Sequence, residues 1–77
     1  MRVQQMTTAA TYFATEYAVR QTCGDAVSLA ERDQDREFAQ SMMKQANQFG
    51  LRMPLSERQL RYLCSIALVP TPKRRNE

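Results

Sequence analysis

The 77-residue chain predicts an all-α fold, a small bundle of three main helices plus a short helix, with a C-terminal αα-hairpin. Three observations carry that expectation. Apolar residues recur at helical spacing in three separate stretches. The two glycines and three prolines fall mostly between those stretches, as punctuation. Val, Ile and Thr never alternate with polar residues as a half-buried strand requires.

In the first stretch, residues 5–22, Met6, Ala10, Phe13 and Tyr17 form one stripe, widened by Ala9, Ala14 and Val19. Thr7, Thr8, Thr11 and Thr15 are poor helix formers, so packing has to hold this helix. Gly24 offers a C-terminal stop, after which Asp25 caps a short helix carrying Val27, Leu29 and Ala30. The alternative is one helix running through Gly24 with a kink; the break is preferred.

The next helix follows a charged run, Glu31 to Glu37, in which Asp33 or Asp35 is placed to act as N-cap. Phe38, Met42, Ala46 and Phe49 make its apolar stripe, flanked by Ala39 and Met43, and Gly50 stops it. The last helix has the sharpest local signal. Ser56 and Gln59 are spaced as a capping box, and Leu55 and Leu60 as a hydrophobic staple. This helix should bury Leu60, Leu63, Cys64 and Ala67, carry Tyr62 and Ile66 on its shoulder, and end near Val69, before Pro70. The linker 51–54 joins the two helices as a hairpin. Residues 1–70 thus read as one helical domain, and 71–77, with nothing to bury, as a disordered basic tail.

A hydrophobic content of 43% argues against wholesale disorder. A core built of alanine and methionine, with six aromatics and no tryptophan, buries little area per residue, so self-association is a route to further stability. No catalytic set is visible: there is no histidine base, glycine-rich phosphate loop or nucleophile elbow. The chain therefore reads as a binding protein rather than an enzyme, without cofactor. Two cysteines and no histidine do not compose a zinc site, and the carboxylates of residues 31–37 read as caps and solvated charge. Cys64 reads as core; Cys23, beside Gly24, reads as accessible. A cytoplasmic protein is expected, since no apolar stretch suits a signal peptide or a membrane span.

Nine arginines and two lysines face eight acids, a formal charge of +3. On the last helix Arg58 and Arg61 share a narrow sector opposite the Leu60 and Leu63 face and point outward. Arg52, Lys73, Arg74 and Arg75 extend that basic surface, with Tyr62 beside it and Met53 as an apolar anchor. Arginine suits bidentate contact with carboxylate or phosphate.

The stretch Glu37-Phe38-Ala39-Gln40-Ser41-Met42, followed by Pro54-Leu55-Ser56-Glu57-Arg58-Gln59-Leu60, resembles a helix-loop-helix pattern. It is similar to segments of short accessory proteins of phages and prophages, over residues 35–68. The resemblance implies a non-enzymatic regulator or inhibitor that docks on a host protein or nucleoprotein complex, in transcription, replication or antiviral defence of the anti-CRISPR kind. Two other readings stand beside it: direct nucleic-acid binding through Arg52, Arg58 and Arg61, and a structural homodimer.

Overall fold

The computed structural model describes residues 7–75, an all-α bundle of three helices. They are α1 (Glu16–Leu29), α2 (Asp33–Phe49) and α3 (Glu57–Ala67), with single 3₁₀ turns at Ala9–Thr11 and Gly50–Arg52.

The first third departs most from expectation. Instead of a helix over 5–22, residues 7–9 run alongside 53–55, with Thr8 extended and Ala9 opening the first 3₁₀ turn. The Ala9 N–H donates to Met53 O at 3.0 Å, and the Leu55 N–H donates to Thr7 O at 3.0 Å. This pairing, with its isolated bridge between Thr8 and Pro54, uses backbone that threonine disfavours in a helix. Of the expected stripe, Met6 lies outside the described residues, Ala10 is exposed and Tyr17 is 71% exposed. Phe13 is buried, but from the loop before α1.

Helix α1 starts one cap later. The Thr15 hydroxyl accepts from the Ala18 N–H at 3.1 Å, and Glu16 sits in the first turn, where its charge complements the helix dipole. The helix then runs straight through Gly24, so the preferred break and the Asp25 cap do not form. A Cβ built on Gly24 would lie 3.3 Å from the Met43 terminal methyl. The glycine therefore serves close approach of α2, and packing outweighs its poor helix propensity of about 1 kcal/mol. At the far end the Arg36 guanidinium donates to Ala30 O at 3.0 Å, next to the carbonyls that the end of a helix leaves unpaired.

Helix α2 takes Arg32 as its N-cap residue, without a side-chain cap bond, and Asp33 and Asp35 lie inside the first turn instead of capping it. They still oppose the dipole and pair with Arg36 at 3.3 Å and Arg32 at 3.6 Å. Ala39, Met42 and Ala46 are buried, while Phe49, at the end of the stripe, is 46% exposed. Gly50 stops the helix at φ +60°, and an added Cβ there would fall 2.6 Å from Glu16 Oε2. The backbone conformation favours glycine at this point, while the exposed Glu16 carboxylate can swing aside.

In α3 both halves of the capping box form. The Gln59 N–H donates to Ser56 Oγ at 3.1 Å and the Ser56 N–H to Gln59 Oε1 at 3.0 Å. Leu55, Leu60, Leu63, Cys64, Ile66 and Ala67 are buried. The helix closes with Leu68 in the left-handed region, φ +61°, and the Val69 N–H reaching Cys64 O at 3.1 Å. Glycine is the usual residue at such a stop.

Helix α1 is the centre of the bundle. It packs on both α2 and α3, which touch each other far less, so the legs of the hairpin are splayed around it. Val19, Cys23 and Ala26 line its buried face at helical spacing, and their small side chains let both neighbours come close. Among the described residues no polar or charged residue is buried as a whole.

Candidate interaction surface

The outward sector of α3 is as the spacing requires. Arg58 and Arg61 are exposed, opposite buried Leu60 and Leu63. Arg61 forms an ion pair with Glu57 one turn earlier, at 2.8 Å. Arg20, Arg32 and Arg36 also pair with carboxylates along their own helices. Among the described residues Arg52, Arg58, Lys73, Arg74 and Arg75 make no such pair, so their charge is open to a partner.

Residues 71–75 run back over the first 3₁₀ turn. The Arg75 N–H donates to Thr11 O at 2.8 Å. That return brings Lys73 and Arg74 beside Arg61. With Tyr12, Glu57, Thr71 and Pro72 they line an open concavity of about 530 Å³. Arg58 shares a shallower depression of about 350 Å³ with Glu57 and Arg61. Arg52 is exposed at the end of the second 3₁₀ turn and lines neither.

Two expected contact residues are placed differently. Met53 is fully buried, because its carbonyl pairs with Ala9 and draws the linker into the core, so it offers no surface anchor. Tyr62 is half-buried between α3 and α2. Its ring lies 4.5 Å from that of Phe38, and its hydroxyl donates to the Asp35 carboxylate. That hydrogen bond, helped by partial burial, pushes the phenol pKa above its usual value. Tyr62 thus ties two helices together.

Tyr12 is the residue that the helical reading passed over. It is 5% exposed and lines the larger concavity, yet its hydroxyl has no hydrogen-bond partner among the described residues. Only the tertiary return of residues 71–75 makes it part of a site, so no local signal marks it.

The cysteines do not add a reactive centre. Both are buried, Cys23 fully, contrary to its expected accessibility. Burial, with the neighbouring Cys64, pushes the Cys23 thiol up to about 11, and burial also raises Cys64. Both are therefore protonated and weakly nucleophilic at neutral pH. Among the described residues no three His, Cys, Asp or Glu side chains converge to hold a metal ion, and no helix is long and apolar enough to cross a membrane.

The fold and surface together define a small three-helix α domain with one basic face. Comparisons with family models, curated proteins and solved structures returned no match for this chain.

Proposed function

We propose that this protein is a non-enzymatic docking module, a regulator or inhibitor of the phage-accessory kind, that engages an acidic surface on a larger protein or nucleoprotein. One observation carries the reading. Arg58, Lys73, Arg74 and Arg75, none in an ion pair among the described residues, lie on α3 and the returning chain, while Arg20, Arg32 and Arg36 are held in ion pairs along their own helices. Such an arrangement steers an acidic partner and fixes its register more than it adds raw affinity.

Affinity capture from the natural host, comparing the native chain with an Arg58→Glu/Arg61→Glu variant, tests it. The expected result is a stoichiometric partner that the variant loses. A partner held equally by both, or none at all, contradicts the reading.

Direct nucleic-acid binding is the second reading, favoured by the convergence of Arg61, Lys73 and Arg74. It requires a gel shift that weakens steeply with salt, because each neutralised phosphate releases counterions. It ranks second because the linker before α3 has no tight glycine turn of the helix-turn-helix kind.

A further inference from the structure

We infer that the depression between the end of α1, the start of α2 and the end of α3 is a self-docking surface, on which a second copy of this chain seats the partner's Leu68 across a two-fold axis. This surface shares no residue with the basic concavities, so it goes beyond the docking reading and is tested separately from it.

The first ground is the backbone of one residue. Leu68 follows α3 with φ +61°, a left-handed conformation that glycine adopts freely and leucine only under strain. Its side chain is 77% exposed, so burial within the monomer does not offset that strain. Strained residues concentrate where a contact or a clamp uses them. Here the strained turn leaves an apolar knob at the rim of the depression.

The second ground is the surroundings of that knob. Leu29, Ala30 and Ile66 give apolar wall to a space of about 310 Å³, open enough to admit an aliphatic side chain. Of the four large apolar side chains exposed among the described residues, two, Leu29 and Leu68, border this one depression.

The third ground is charge, and it selects the occupant. Glu31 and Arg32, adjacent in the loop before α2, stand on the same rim and are exposed. Glu31 makes no ion pair among the described residues, and Arg32 holds Asp35 only at 3.6 Å. Asp35, the third charge there, is mostly covered and also accepts from Tyr62. A two-fold interface sets a patch against its own copy, so the patch must complement itself. This one carries a knob with a hole and an acid with a base. Across the axis Leu68 enters the partner's depression, Glu31 meets the partner's Arg32, and Arg32 meets the partner's Glu31. A partner of one charge sign would set like charges together at one of the two positions. One leucine knob per subunit makes a small contact, below the about 1,200 Å² of a stable complex, so the dimer is transient.

The test is sedimentation velocity and amide NMR of the purified full chain between about 0.01 and about 1 mM. A monomer at the low end is expected, with a dimer forming at the high end and concentration-dependent shifts confined to residues 29–35 and 65–68. Leu68→Gly relieves the strain, so it should melt no lower than the native chain when dilute, yet its dimer should be at least about tenfold weaker. Glu31→Arg and Arg32→Glu should each weaken self-association, because like charges then meet across the axis. An equimolar mixture of those two variants restores opposite charges at both crossings and should recover the dimer. Arg58→Glu should leave self-association unchanged. A native chain that stays monomeric throughout, a dimer that Leu68→Gly leaves as tight, or a mixture of the charge variants that does not recover overturns the proposal.

Discussion

Replacing Gly24 by alanine tests the centre of the fold through the sign of a stability change. Inside a helix, alanine is favoured over glycine by about 1 kcal/mol. The new Cβ would lie 3.3 Å from the Met43 terminal methyl, tighter than ordinary contact by a few tenths of an ångström. Met43 is only half-buried, and its unbranched side chain can give way at a cost of about 0.5 kcal/mol, near the low end of an off-rotamer penalty. The two effects leave a net gain of about 0.5 kcal/mol. In a Gly24→Ala/Met43→Ala protein compared with Met43→Ala alone, the contact is gone and the gain should approach about 1 kcal/mol. Had α1 ended at Gly24 in a left-handed stop, alanine would instead cost about 1–2 kcal/mol. Urea unfolding followed by circular dichroism at 222 nm resolves the difference. A higher midpoint with an unchanged slope is expected; a midpoint lowered by 1 kcal/mol or more (about the left-handed penalty) would refute the continuous helix.

Four further perturbations address other parts of the molecule. Gly50→Ala meets both a positive φ and Glu16 Oε2 at 2.6 Å, and should destabilise by about 1–3 kcal/mol in thermal melts; an additional Glu16→Ala should recover only the steric part. Leu68→Gly removes a left-handed leucine that is 77% exposed, so little burial is lost, and should raise the melting temperature by a few degrees, about 0.5–1 kcal/mol. Tyr12→Phe removes an unpartnered buried hydroxyl, and the protein should be as stable as the native chain or more so, by up to about 1 kcal/mol in urea. The Cys23 thiol, near 9.0 in the unfolded chain and about 11 when folded, ionises more readily on unfolding. Its contribution is therefore complete below pH 9 and lost as pH rises from 9 towards 11, a fall of up to about 2 kcal/mol that a Cys23→Ala protein should lack when urea midpoints are compared across that range.

The second half of the chain was more legible than the first because its signals are local. The capping box at Ser56 and Gln59, the Gly50 stop and the apolar stripes of α2 and α3 each declare themselves within one or two turns. The first third depends on contacts distant in sequence. The pairing of residues 7–9 with 53–55 spans more than forty residues, and no periodicity in either segment announces it. Gly24 carries the same letter as a helix stop and acts as a point of helix contact, which only the position of Met43 reveals. Tyr17 and Phe49 occupy stripe positions where the neighbouring helix no longer covers them.

The site divides in the same way. The outward direction of Arg58 and Arg61 follows from helical geometry alone, since they lie opposite Leu60 and Leu63. Met53 belongs to the core because the linker is pinned to the N-terminal segment. The meeting of Tyr12 with Lys73 and Arg74 requires the chain to double back after Pro70. A pattern read along one helix cannot see that return.

The central claim is that the open cations of α3 and the returning chain form the working surface of this protein. Charge reversal at Arg58 and Arg61 probes it most directly, because both side chains are exposed and their loss leaves the core intact. Quantitative capture from host lysate should show one stoichiometric partner on the native chain and none on an Arg58→Glu/Arg61→Glu protein of unchanged circular dichroism. Equal recovery of that partner by both proteins would contradict the claim.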